Sequence, residues 1–186
     1  MANPIDDKTT EDIKKALESK NPALAVKMIQ KYLDKDKNTP LNIGITGESG
    51  SGKSSFVNAF RGIDDGDEAA APTGVTETTP EPTPYPHPHF PNVKLWDLPG
   101  VGTRKFPRDK YLKLVGFERF DFFIIISADR FRENDVTLAQ EIKKMKKKFY
   151  FVRSKIDTDL RNEERRQRSE FNKEMTLEYI RVNCIQ

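Results

Sequence analysis

An α/β fold, a largely parallel sheet with helices on both faces, is predicted by three observations. From Leu41 onward, strand-length apolar runs alternate with longer amphipathic ones. The first of these strands leads straight into Gly47-Glu-Ser-Gly50-Ser-Gly52-Lys53-Ser54 and then into a helix. A second apolar strand, ending at Trp96, is followed at once by Asp97-Leu-Pro-Gly100.

Taken in order, residues 1–40 read as a separate helical hairpin. Thr9 with Asp12 resembles a capping box, and Ile13, Ala16 and Leu17 then share one helical face. Asn21-Pro22 restarts a helix whose stripe is Val26, Ile29, Tyr32 and Leu33. In residues 41–186 the expected strands are Leu41 to Ile45, Asn92 to Trp96, Asp121 to Ile126 and Phe149 to Val152. Ser54 to Arg61 is a helix stopped by Gly62. Asn134 is placed to cap another, with Val136, Ala139, Ile142 and Met145 along one side. Its Lys143 to Lys148 run reads as a solvated face. A last helix, from about Glu163 to Asn183, would bury Phe171, Met175, Tyr179 and Val182. Ala71 to Pro91 carries seven prolines and breaks the rhythm; long irregular segments of this kind are usually functional or disordered.

Composition narrows the class of partners. The chain has 186 residues, 35% hydrophobic and 33% charged, and Lys plus Arg (32) nearly balance Asp plus Glu (29). Interspersed charge of both signs gives no basic face for nucleic acid. No run approaches the roughly 20 apolar residues of a spanning helix, and residue 2 is alanine rather than the glycine that myristoylation requires. The lone Cys184 has no internal partner, which favours a reducing, cytoplasmic setting. Contact with membranes would then be peripheral.

The glycine-rich loop is a full phosphate-binding signature between strand and helix, which makes the fold a three-layer P-loop NTPase of Ras-like kind. Gly47, Gly50 and Gly52 let backbone N–H groups turn inward, where side chains would collide with a phosphate. Glu48, Ser49, Ser51 and Ser55 belong to the same cradle, and the helix N-terminus adds its positive dipole end. Lys53 is suited to the β- and γ-phosphates, and the Ser54 hydroxyl to Mg²⁺. Asp97 can hold the Mg²⁺ shell, and the Gly100 N–H can reach the γ-phosphate. Ser154-Lys-Ile-Asp157 is a variant of the guanine-recognition motif. Its Asp157 accepts from guanine N1–H and the 2-amino group, donors that adenine lacks, while Lys155 lies along the base. Thr73, Thr78 and Thr79 each offer a hydroxyl to Mg²⁺, and the residues do not choose among them. Glu77 is the nearby carboxylate able to orient water. No glutamine follows Gly100, where Val101, Gly102 and Thr103 stand instead, so hydrolysis is expected to be slow or to use another group. His87 and His89 read as loop residues between prolines.

Together these residues resemble the immunity-related GTPases, the interferon-inducible family of vertebrate cell-autonomous defence. The likeness is densest in residues 74–79, 91–100, 121–128 and 149–157. Lys53 is similar to the Gly-Lys-Ser type of that family. The resemblance implies GTP and GDP with Mg²⁺ as ligands and Glu77 as the glutamate needed for hydrolysis. It also implies activation by face-to-face association of two nucleotide domains, and work on intracellular vacuole membranes. Relative to the family pattern, the last strand and helix of the nucleotide domain, its guanine-backing loop and a C-terminal helical domain are expected to be missing. The competing expectation is a non-catalytic nucleotide-binding module acting through partners; an ATPase or kinase is opposed by Asp157.

Overall fold

The computed structural model of the chain describes residues 15, 24, 27, 39–74, 79–103, 105–107, 110–129 and 132–185. Backbone contacts divide the chain into two units, Met1–Pro40 and Leu41–Gln186. In the first unit Lys15, Leu24 and Lys27 are helical and exposed. The expected caps at Thr9, Asp12 and Asn21, and the two apolar stripes, lie outside the described residues, as do Glu77 and Thr78.

In the second unit, five strands form one sheet among the described residues: β1 (Leu41–Thr46), β2 (Thr83–Pro86), β3 (Val93–Asp97), β4 (Phe122–Ser127) and β5 (Lys148–Arg153), in the order β2-β3-β1-β4-β5. β1 runs parallel to both β3 and β4, with Ile43 opposite Leu95 and Phe122, and β5 runs parallel to β4. The fold class predicted from the sequence is the one observed.

The sheet is two-sided because β4 is apolar from Phe122 to Ile126, as a strand covered on both faces must be. Its side chains alternate by residue. Phe123 and Ile125 join Leu98, Tyr111, Phe117, Phe120, Leu138 and Ile142 on one face. Ile124 and Ile126 join Ile43, Ile45, Val57 and Leu95 on the other. Phe123 lies stacked on Phe117, their ring centroids 4.5 Å apart, and edge-on to Phe120. Truncating so enclosed a ring costs about 3–5 kcal/mol.

Helices α1 (Lys53–Arg61), α2 (Tyr111–Val115), α3 (Glu133–Lys144) and α4 (Ile156–Gln167) follow β1, β3, β4 and β5, and α5 (Lys173–Ile185) follows α4. α1 covers one face through Val57. Its Asn58 and Arg61 are also buried, because they hold the next loop: Asn58 exchanges hydrogen bonds with the Ala71 backbone, and Arg61 donates to the carbonyls of Ala69 and Pro86. That grip sets where the proline-rich segment begins.

Several expectations need correcting. The proline-rich segment contains a strand, β2, antiparallel to β3. Pro84 and Pro86 fit there because β2 lies at the sheet edge, where a missing N–H leaves no ladder bond unmade. The helix expected to be capped by Asn134 begins at Glu133, with the Arg132 N–H bound to the Asp135 carboxylate. Its buried line is Leu138 and Ile142, and Val136 is exposed. The last helix is two helices. A short 3₁₀ turn, Arg168–Glu170, interrupts it, and Asn172 starts α5 by accepting the Met175 N–H at 2.9 Å. The break resets the helical phase, so Thr176 is buried while Met175, Tyr179 and Val182 face outward at 57%, 68% and 44% exposure. Within the lysine run, Lys147 is half-buried and donates to the carbonyls of Phe117, Glu118 and Phe120. It therefore caps the turn before β4 as well as lining a solvated face.

Candidate functional site

The loop after β1 and the turn after β3 each follow a path that only glycine permits at one point. A Cβ on Gly47, at φ +144°, would lie 2.1 Å from the Ile126 carbonyl oxygen of β4. A Cβ on Gly100 would lie 2.7 Å from the Ser49 backbone. The turn after β3 is thus packed directly on the glycine-rich loop. Backbone hydrogen bonds Leu98 N–H to Ile45 and Val101 N–H to Gly47, both 3.1 Å, fix the approach.

Around this junction the predicted side chains converge. Lys53 is buried at the start of α1, and its ammonium donates to the Glu48 carbonyl at 2.9 Å, so the loop curls over its own lysine. The Ser54 hydroxyl donates to Asp97 Oδ2 at 2.6 Å, and the Thr79 hydroxyl donates to the same oxygen at 2.9 Å. Thr73, by contrast, is exposed. Asp97 is 1% exposed, and its Oδ1 has no hydrogen-bond partner among the described residues. Burial pushes its carboxyl above the ordinary carboxylate range, against the pull of the Ser54 bond, the Lys53 charge and the Thr79 bond. A buried carboxylate oxygen left unmatched beside two hydroxyls is a donor set of hard oxygens, the kind that suits Mg²⁺.

The remaining cradle residues divide by exposure. Ser49, Gly50 and Ser55 face solvent, and Ser51 is buried with its hydroxyl unpartnered among the described residues. The Glu48 side chain turns away from the loop's inner face. It accepts from Asn134 Nδ2 at 2.6 Å and Arg132 Nη1 at 3.1 Å, which ties the loop to the start of α3.

On the far side of the loop, Ser154 reaches back across it. Its hydroxyl donates to the Ser51 carbonyl at 2.6 Å, and its N–H to the Ser127 carbonyl at 2.8 Å. Lys155 follows at φ +55° and is exposed. Asp157 opens α4. Its side chain is 71% exposed and bound to Arg161 at 2.9 Å, one helical turn on. It lies at the rim.

Sequence reasoning missed three residues here: Tyr111, Arg132 and Asn134. The phenol of Tyr111, fully buried, bonds to both Thr46 and Pro99. From the sequence Asn134 reads only as a helix cap, and no motif marks Tyr111 or Arg132, since Thr46 and Glu48, which they meet here, are distant in sequence.

The strand order and the loop geometry define the class: a P-loop α/β nucleotide-binding domain. The model of the family described as Interferon-inducible GTPase (IIGP) matches residues 6–186. Interferon-gamma-inducible GTPase 10 of Mus musculus is 47% identical over 181 residues, covering 97% of this chain and 43% of the relative. Interferon-inducible GTPase 1 of Mus musculus is 51% identical over 145 residues, with 78% and 35% covered. Interferon-inducible GTPase 5 of Bos taurus is 47% identical over 176 residues, with 95% and 38% covered. The chain belongs to the interferon-inducible GTPase family. It spans less than half the length of these relatives. A solved GTP-binding protein of Sulfolobus solfataricus in complex with GDP is 20% identical, with 81% of this chain and 48% of that one covered at a TM-score of 0.36. That superposition is too loose to bear on the fold, which rests on the strand order.

Proposed function

We propose that this chain binds GTP and GDP with Mg²⁺ and hydrolyses GTP, in step with self-association through its nucleotide-binding face. The observation that carries the proposal is the convergence of Ser54 and Thr79 on one oxygen of buried Asp97, with the other oxygen unmatched. Ser54, Thr79 and Asp97 would hold the metal, which supplies charge neutralisation at the β- and γ-phosphates. Lys53 sits beneath the loop to meet the same phosphates. Gly100 has no side chain to keep its N–H from the γ-phosphate. Ser154, Lys155 and Asp157 form the base end, where a carboxylate selects guanine over adenine.

Glu77 is assigned to orienting water by the family resemblance. Family membership likewise supports a cytoplasmic protein that acts peripherally at intracellular membranes in cell-autonomous immunity. No described helix is long and apolar enough to cross a membrane.

The test is calorimetric titration of the chain with GDP, GTP and ATP, in Mg²⁺ and in chelator, followed by phosphate release over a hundredfold range of protein concentration. Guanine nucleotides should bind more than about 10²-fold tighter than ATP, and the specific rate should rise with concentration. Glu77→Ala should retain GTP and lose turnover. Equal affinity for ATP and GTP would overturn the guanine assignment. Binding without phosphate release at any concentration would leave a non-catalytic module.

A further inference from the structure

The phenol of Tyr111 is 0% exposed and lies between two loops of the site. Its oxygen is 2.8 Å from the Pro99 carbonyl and 2.9 Å from the Thr46 hydroxyl. A carbonyl can only accept, so the single phenolic proton goes to Pro99, and Thr46 must donate to Tyr111. The result is a directed chain from the last residue of β1, just before the glycine-rich loop, through Tyr111 to the turn after β3.

What this chain fixes is a peptide plane. Pro99 C=O and Gly100 N–H belong to one planar peptide unit, and no described peptide bond is cis. In a trans unit the N–H points opposite to the carbonyl. Anchoring the Pro99 oxygen on Tyr111 therefore directs the Gly100 N–H away from the core. Gly100 itself lies against Ser49 of the glycine-rich loop. The ring is held separately, edge-on to Phe106 and Phe117, at 6.3 Å and 5.7 Å between centroids. A cavity of about 400 Å³ adjoins it on the side of Val101, Leu112 and Leu138. Packing thus holds the ring, while the hydroxyl holds the Pro99 carbonyl.

We propose that Tyr111 is a positioning residue that raises the affinity for GTP relative to GDP, by holding the Pro99–Gly100 peptide with its N–H toward the γ-phosphate. This rests on the proposed nucleotide site, in which the Gly100 N–H meets that phosphate. GDP presents no γ-phosphate, so it is indifferent to the peptide's orientation. Burial raises the phenol's pKa well above its ordinary value, so the proton stays on Tyr111 at any working pH.

The test is Tyr111→Phe in the full chain, which keeps the ring contacts and removes one hydroxyl. GDP affinity should stay within about twofold, while affinity for a non-hydrolysable GTP analogue and the turnover number each fall about tenfold, the worth of one buried hydrogen bond. Thr46→Val, which removes the donor to Tyr111, should shift the ratio in the same direction by a smaller factor. Thr46→Ser should restore it. A merely structural tyrosine would weaken GDP and the GTP analogue alike, and that result overturns the proposal. An unchanged GTP-to-GDP ratio in both Tyr111→Phe and Thr46→Val also overturns it, with the nucleotide site intact. If the parent chain binds neither nucleotide, the site reading falls and the role of Tyr111 falls with it.

Discussion

The Ser154 hydroxyl donates to the Ser51 carbonyl at 2.6 Å, joining the loop after β5 to the glycine-rich loop. A residue of the proposed base end therefore holds the shape of the proposed phosphate end. The Ser154 N–H is spent on Ser127, so the loop is anchored on two strands at once.

Ser154→Ala should accordingly weaken phosphate binding although Ser154 stands in the base motif. The loss of one hydrogen bond, about 1 kcal/mol, corresponds to about fivefold in the affinity of GDP. Ser154→Thr should retain most of it. Calorimetry of the three proteins with GDP decides the matter; an affinity unchanged in the alanine variant refutes the coupling.

Asp97 should show opposite effects on stability and on binding. Its folded-state pKa is raised by burial, so folding takes up protons and this group's contribution falls as pH rises through the folded pKa. Without nucleotide and metal, Asp97→Asn should melt above the parent at neutral pH, and the gap should close as pH falls through the carboxylate range. With Mg²⁺, the same variant should bind GTP about 10- to 100-fold more weakly, as loss of a metal-site partner does. Melting curves across pH, beside a titration in Mg²⁺, measure both.

The Glu48–Asn134 bond at 2.6 Å predicts energetic coupling between the glycine-rich loop and α3. Glu48→Ala and Asn134→Ala should each cost about 1–2 kcal/mol of stability, and the double variant should cost less than their sum. Urea unfolding of the four proteins completes the cycle. Strict additivity would mean that the two side chains act independently.

In the proposed site, Arg161 would compete with the base for Asp157. An exposed i,i+4 pair is worth only about 0.3–0.5 kcal/mol, so Arg161→Ala should raise guanine-nucleotide affinity by about twofold. Asp157→Asn should instead transfer preference toward xanthine nucleotides, because an amide can donate to the xanthine O2. A titration with GDP and xanthosine diphosphate separates these outcomes.

Much of this protein was legible without coordinates where neighbours in sequence are neighbours in space. The cradle from Gly47 to Ser54, the Asp97 turn and the apolar run Phe122 to Ile126 of β4 each carry their geometry in consecutive residues. Local patterns failed where phase or edge position decides. Pro84 and Pro86 argue against a strand until β2 is seen at the edge, and Met175, Tyr179 and Val182 form a convincing buried line until the break at Arg168–Glu170 turns them outward.

By itself, then, the sequence determined the fold class, the phosphate loop and the family, because glycine positions and apolar alternation are short-range constraints. Only the tertiary structure decided that Thr79 rather than Thr73 meets Asp97, and that Asp157 lies at the rim. It alone joined Thr46 to Tyr111, Glu48 to Asn134 and Ser51 to Ser154, across 65, 86 and 103 residues. Such contacts follow no period along the chain. They exist because the parallel strands β1, β3, β4 and β5 end on the same side of the sheet, bringing their following loops together.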